Sequence, residues 1–413
     1  MTGGVRVRVA RPEDLDQAGA LTAEAYHADG LLDDDGGYAT ELRDAGRRAR
    51  EAVLLVATVP GAGGAQDVVV GTVTLAPAGT SYAEVAEPGE LELRMLAVAP
   101  EARRRGVAER LTTAALREAV ARRARGVVLS TLEPMVTARR LYERLGFVAA
   151  PARDWGHEGV ALHVLTWTPP AAPGVMVESA TWVPATVETV EGWRLGFSGG
   201  FTRRANSVLP LGRPADVGAT LDAVEARYDA VGLPTVVRVC AAAPAGLEET
   251  LGSRGYAPVA ATDVLVRDVE PPPPVPPHPG VRVVVSEHVD GPWLDGWLGV
   301  KAGGATADAT TARQVLAATP ARYLAAVGED RRTLGVLRAA FAEDWVGLSC
   351  LVVAPEARRR GIGRLLTRAA LAAAAGAGAR RAFLQVEVSN AGAADLYAAE
   401  GFRPAERYAY WQR

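Results

Sequence analysis

The chain has 413 residues, 49% of them hydrophobic and 23% charged, with a formal net charge of −3. That length divides into two or three soluble globular domains, and the balance gives no ground for a nucleic-acid or anionic-membrane partner. Two cysteines (Cys240, Cys350) and five scattered histidines exclude a disulfide framework and supply no metal-ligand spacing.

In chain order, Val5–Val9 alternates as a strand, and Arg11-Pro12-Glu13-Asp14 opens a helix to about Ala25. A second helix is expected over Tyr38–Arg50, then strands at Val53–Thr58 and Val68–Leu75 around a Gly-rich turn at Gly61–Gly64. Leu91–Val98 is the next strand, followed by an Arg-rich loop, a helix over Val107–Arg123 and a strand at Val127–Leu132. A helix over Val136–Leu145 stops at Gly146, and Ala161–Thr168 closes this segment. Two proline-rich stretches, Pro169–Gly174 and Pro271–Gly280, leave blocks at 1–168, 175–270 and 281–413.

The middle block reads as strands at Gly192–Phe197, Asn206–Leu211, Thr235–Val239 and Thr262–Val266, with helices over Ala219–Val231 and Leu247–Arg254. It lacks the Arg-rich loop. The last block carries strands at Val281–Val285, Tyr323–Val327, Thr333–Phe341, Gly347–Val353 and Ala382–Val388, with helices over Ile362–Ala375 and Ala391–Glu400.

One string of nine residues occurs twice. Val98-Ala99-Pro100-Glu101-Ala102-Arg103-Arg104-Arg105-Gly106 returns unchanged as Val353 to Gly361, displaced by 255 positions. The same displacement carries Leu141-Tyr142 onto Leu396-Tyr397 and Gly146-Phe147 onto Gly401-Phe402, which marks a duplicated unit. In each copy a strand runs into a basic, Gly-containing loop and then a helix. The first-turn amides of that helix have no intrahelical partner, glycine lets an anion approach the backbone, and arginines add charged donors. This is the composition of a pyrophosphate cradle. Neither G-x-G-x-x-G nor a P-loop is present.

Arg103-x-x-Gly106-x-Ala108 with Leu141-Tyr142-x-x-x-Gly146-Phe147, and Arg358-x-x-Gly361-x-Gly363 with Leu396-Tyr397-x-x-x-Gly401-Phe402, resemble the paired motifs of the GCN5-related N-acetyltransferase (GNAT) family. The resemblance implies an α/β (α+β) fold, with tandem copies of a mixed, mostly antiparallel sheet flanked by helices. Blocks 1–168 and 281–413 would be complete units and 175–270 a partial one. It also implies acetyl-CoA as co-substrate. Val98, Arg103, Arg104, Arg105, Gly106, Val107 and Ala108 would hold it in one copy. Leu351, Val353, Arg358, Arg359, Arg360, Gly361, Ile362, Gly363 and Asn390 would do so in the other. The first copy has Met135 where the second has Asn390. Middle and last blocks together resemble an actinobacterial acetyltransferase group through Gly199-Gly200-Phe201-Thr202-Arg203-Arg204-Ala205-Asn206-Ser207-Val208.

For acetyl transfer to an amine, the resemblance puts the proton for the leaving thiolate on Tyr142 and Tyr397, which packing alone would also explain. Glu92 is the candidate base of the first copy or a solvated strand residue. Gly347 occupies its place in the last copy, where Glu387 and Asp344 are the acidic alternatives. Cys350, aligned with Met95, is an acyl-transfer nucleophile or a structural thiol. Asp33-Asp34-Asp35 suits a cationic amine or a solvated turn; Arg203 and Arg204 suit an acidic substrate or an interdomain contact. The expected activity is acetyl-CoA-dependent N-acetylation of a small-molecule primary amine, the rival being a catalytically silent CoA-binding regulator or scaffold. No metal, nucleic-acid or membrane partner is expected, and oligomerisation is left open. With no apolar run long enough for a signal peptide or membrane span, a cytoplasmic location is expected.

Overall fold

The computed structural model describes residues 4–31, 37–61, 63, 65–157, 160–270, 274–275, 277–301 and 309–413, so the Asp33–Asp35 run and part of both the Gly-rich turn and the second proline-rich stretch lie outside the described residues. The chain forms two units, residues 1–170 and 171–413.

In the first unit the order is β1 (Arg6–Val9), α1 (Leu15–Ala28), α2 (Gly37–Arg43), α3 (Ala45–Glu51), β2 (Val53–Val59), β3 (Val68–Pro77), β4 (Glu90–Val98) and α4 (Val107–Ala121). Then follow β5 (Gly126–Leu132), α5 (Val136–Arg144), β6 (Val148–Ala149), β7 (Trp155–His157) and β8 (Val160–Trp167). The sheet order is β1-β2-β3-β4-β5-β8-β6, with β7 on β8, and only β4–β5 is parallel. Strands β2 and β3, continuous apolar runs, are buried on both faces at its centre. The helix expected over Tyr38–Arg50 is two helices. Asp44 leaves helical geometry (φ −78, ψ 66) and its carboxylate accepts the Arg47 amide at 2.8 Å, the local competition that makes aspartate a helix starter.

The second unit begins with α6 (Val175–Ala180), β9 (Thr186–Val190), β10 (Trp193–Phe197), β11 (Val208–Leu209), α7 (Val217–Asp229), β12 (Val236–Val239), α8 (Leu247–Ser253) and β13 (Ala257–Asp268). It continues with β14 (Val281–Ser286), α9 (Gly291–Lys301), α10 (Ala309–Ala317), β15 (Ala321–Gly328), β16 (Thr333–Ala342), β17 (Trp345–Val353), α11 (Ile362–Gly376), β18 (Arg381–Glu387), α12 (Ala391–Ala399) and β19 (Arg403–Gln412). The blocks 175–270 and 281–413 share one eleven-stranded sheet, ordered β14-β15-β16-β17-β18-β13-β19-β12-β11-β10-β9.

The two blocks exchange strands. In the first unit β8 lies beside β5. In the second, the place beside β18 is taken by β13 from the middle block, with Thr262–Asp268 antiparallel to Arg381–Glu387. The chain's last strand, β19, lies between β13 and β12. Neither block closes its own sheet.

Helices α4 and α11 cover the duplicated strands with the same residues. Val107, Leu111, Ala115, Leu116 and Ala119 are buried in one, and Ile362, Leu366, Ala370, Leu371 and Ala374, each displaced by 255 positions, in the other. That spacing is one helical face.

Candidate functional site

The two loops have the same backbone conformation. Ala99 and Ala354 share φ −52, Arg103 and Arg358 have φ −63 and −66, and Arg104 and Arg359 are left-handed at φ 61 and 63. Gly106 and Gly361 follow in the left-handed region at φ 76 and 81 and start α4 and α11. A non-glycine residue there would pay a steric penalty of about 1 kcal/mol. The turn directs the first amides of each helix into the concavity of the loop.

Upstream, each loop strand parts from its parallel neighbour. β4 pairs with β5 only over Glu90–Glu92, and β17 with β18 only over Trp345–Leu348, although all four strands run on. Where the pairing stops, an extra residue bulges from the loop strand. Met95 (φ 53) and Cys350 (φ 58) adopt the left-handed conformation there, at equivalent positions. The bulge bends the strand and leaves a wedge with unpaired main-chain groups.

In the second unit the wedge opens into a cavity of about 340 Å³ that takes in Cys350, Leu351, Asn390 and Tyr397 together. Asn390 caps α12, its Oδ1 accepting the Ala393 amide at 3.1 Å. Met135, its counterpart, makes no side-chain cap on α5. Tyr397 is 8% exposed and packs edge-on against Phe402, centroids 5.7 Å apart; Tyr142 and Phe147 stack in a tilted arrangement at 5.5 Å. Burial pushes both phenols well above the ordinary tyrosine value, and for Tyr397 the neighbouring Cys350 adds to it. Gly363 brings α11 close: a Cβ there would stand 3.3 Å from Leu396.

The candidate acids have different fates. Glu92 is fully buried, and its Oε2 accepts the amides of Glu84, Val85 and Ala86 at 2.8, 2.8 and 3.1 Å. Desolvation raises its pKa against those bonds and Arg94. In this geometry its Oε2 anchors the 84–86 loop. Removing it by Glu92→Ala is expected to lower stability by about 2 kcal/mol through unsatisfied amides. Denaturant unfolding of the full chain checks this. Asp344 is held by Arg381 at 2.8 Å and is absent from the cavity lining. Glu387 does line the cavity, 57% exposed and 3.5 Å from Arg203.

The loops differ in their contacts. The Arg103 guanidinium grips Asp29 through two bonds of 2.9 and 3.2 Å. Arg358, which like Arg103 also donates to the strand end (Val353 O, 3.2 Å), has no carboxylate partner among the described residues. His278 Nε2 lies 2.7 Å from the Arg360 carbonyl oxygen.

The other side of the cavity comes from residues whose role was not legible in the sequence. Trp182, Trp297, Gln385, Tyr408 and Tyr410 line it with Thr202, Arg203 and Arg204. Tyr408 and Tyr410, two apart on β19, share a face of the exchanged strand, the one periodicity that pointed to them. The Gly199–Val208 run is tied by Asn206: its Oδ1 accepts the Ser198 and Gly200 amides, and its Nδ2 donates to Phe201 and Thr202 carbonyls, all at 2.7–3.0 Å. This knot presents Thr202–Arg204 to the cavity, so these arginines face a pocket inside their own unit. Among the described residues no three His, Cys, Asp or Glu side chains gather as a metal site, and no helix is long and apolar enough to cross a membrane.

Comparison with known proteins gives the family. The family described as "Probable histone acetyltransferase Rv0428c C-terminal" matches residues 177–411, more than half of the chain and across both exchanged blocks, and "Acetyltransferase (GNAT) family" matches residues 31–147. The uncharacterized N-acetyltransferase YobR of Bacillus subtilis (strain 168) is 26% identical over 241 residues, covering 56% of this chain and 94% of that protein. A GCN5-related N-acetyltransferase from Kribbella flavida is similar in structure, with a TM-score of 0.46 and 17% identity over 58% of this chain and 96% of that one. A tandem GNAT protein from the clavulanic acid biosynthesis pathway aligns over 99% of this chain and 98% of its own, with 15% identity and a TM-score of 0.33.

Proposed function

The chain belongs to the acetyltransferase (GNAT) family as a tandem-domain N-acyltransferase, and from that premise we propose that its second unit moves the acetyl group of acetyl-CoA to a primary amine of a small molecule. The observation that carries this reading is the cavity at the β17–β18 wedge, which joins Leu351, Asn390 and Tyr397 to an aromatic chamber.

The first-turn amides of α11, with Arg358, Arg359 and Arg360, would hold the pyrophosphate, and the wedge would admit the pantetheine arm along Leu351 and Val353. Main-chain N–H groups of β17 left unpaired beyond Leu348 can stabilise the oxyanion. The amine nitrogen attacks the thioester carbonyl carbon, the C–N bond forms and the C–S bond breaks. The ammonium proton leaves to Glu387 and solvent, and Tyr397 protonates the departing thiolate and is reprotonated from solvent. The products are the acetamide and free CoA thiol.

Because burial holds the Tyr397 hydroxyl above its ordinary value of 10.0, it stays protonated, and so able to act as an acid, through neutral and mildly alkaline pH. Turnover should rise with pH as the acceptor amine deprotonates, with no falling limb below pH 10. CoA thiol release across an amine panel is the test. Intact acetyl-CoA binding without any amine-dependent release would overturn the transferase reading. For the first unit, the engaged Arg103 and Glu92 favour the second reading, a CoA-binding domain that does not turn over.

A further inference from the structure

Four arginines border the aromatic chamber or the crevice beside it; Arg194, in the crevice, reaches Met176 Sδ at 3.7 Å, and two of the others already have carboxylates. Arg238 is paired with Glu178 at 2.6 Å, both side chains buried, and Arg203 stands 3.5 Å from Glu387. Arg204, which lines both spaces, has no carboxylate partner among the described residues; its guanidinium stacks over Trp182, 5.1 Å from the ring centroid. Trp182 also receives Arg338 at 5.6 Å. Arg338 is fully buried and donates to the carbonyls of Leu316 and Thr181 at 3.1 and 2.7 Å, again without a carboxylate. Its Nη2 has no hydrogen-bond partner among the described residues.

Two guanidinium groups without counter-charge around one indole are costly to desolvate and give this end of the cavity a positive potential. The stacking fixes Arg204 with its fork available, the geometry that suits a carboxylate. Ser349, Gln385 and Tyr410 also line the cavity, and their Oγ, Oε1 and Oη are buried with no hydrogen-bond partner among the described residues, acceptors that an amine reaching them would satisfy. Trp297 and Tyr408 add aromatic surface to the lining.

We propose that the acceptor is a small amino carboxylate: its amine is received among Ser349, Gln385 and Tyr410, and its carboxylate is bound by Arg204. This rests on the reading of the cavity as the acetyl-acceptor site. A monoanion fits better than a phosphate, because Glu387 already balances Arg203 and, of the two guanidinium groups without counter-charge, Arg204 lines the chamber whereas Arg338 is buried behind Trp182. A volume of about 340 Å³, shared with the pantetheine end, fits a small molecule.

The test compares straight-chain amino carboxylates with alkylamines of matched length in the full chain at saturating acetyl-CoA, reading CoA release as kcat/KM. The carboxylated member should be preferred by at least about tenfold, as loss of a charge-assisted contact implies. Arg204→Gln should erase that preference and Arg204→Glu should reverse it, with acetyl-CoA binding and circular dichroism reporting the fold. Equal or better use of the alkylamine by the native chain, or an unchanged ratio in a folded variant, overturns the proposal. If acetyl-CoA binds and no amine releases CoA, the transferase reading fails instead, and calorimetry of the same pairs decides the carboxylate site. Tighter binding of the amino carboxylate, lost in Arg204→Gln, supports it; no difference sinks it.

Discussion

Tyr397→Phe is expected to cut kcat for amine-dependent CoA release by about 10²- to 10³-fold, the usual worth of a positioned general acid. The change removes one oxygen from a side chain that is 8% exposed and keeps the ring against Phe402, so packing is retained. The affinity for acetyl-CoA should stay within about twofold, because the loop amides and arginines that would hold it are untouched. That split, kcat without binding, distinguishes an acid from a packing residue. Tyr142→Phe is the internal control: the same change in the first unit should leave turnover within about twofold if catalysis resides in the second. A Tyr397→Phe chain with undiminished kcat would assign the hydroxyl to packing and return the proton transfer to solvent or to Cys350.

What the sequence made legible is local or periodic. The repeated loop was readable because it is a few consecutive residues, and the duplication doubled the signal. The structure gives both copies the same conformation, with matching dihedral angles at Arg104 and Arg359 and at Gly106 and Gly361. The coverage of the sheet by α4 and α11 followed from their 3.6-residue periodicity. The strand exchange was not readable. Nothing in Ala257–Asp268 records that it pairs with Arg381–Glu387, because register is set by long-range packing and not by composition. The aromatic chamber was hidden for the same reason: Trp182, Trp297, Gln385 and Tyr410 are far apart in sequence and meet through that exchange. Helix α9 carries a weak local signal because Gly291, Pro292 and Gly296 disfavour a helix, while the burial of Trp293, Leu294 and Trp297 on one face holds it helical. The role of Glu92 depends on a loop eight residues upstream folding back onto it, which strand alternation does not report.

The exchange also dictates how the cradle must be tested. A fragment of residues 281–413 would strip β19 of both neighbours, β13 and β12, and leave β18 as an open edge, so the full chain is the right subject. In it, Arg360→Glu with Gly361→Glu is expected to weaken acetyl-CoA binding by about 10²-fold at the second unit, with turnover falling in step at subsaturating acetyl-CoA. Three effects combine. A donor becomes a repelling charge, each charge-assisted contact being worth about 1.5–3 kcal/mol. The left-handed position at φ 81 receives a side chain that opposes it. A side chain now stands where the anion must approach the helix amides. Arg360→Glu alone, which keeps the glycine, should give about tenfold and separates charge from backbone strain. The same pair placed at Arg105 and Gly106 alters a loop whose Arg103 is already engaged by Asp29, so it should remove only a weaker binding event and leave turnover intact. Calorimetric titration resolves the two events. An unchanged titration for the folded Arg360, Gly361 double variant would contradict the cradle, and equal losses from both pairs would make the two units functionally alike despite Asp29.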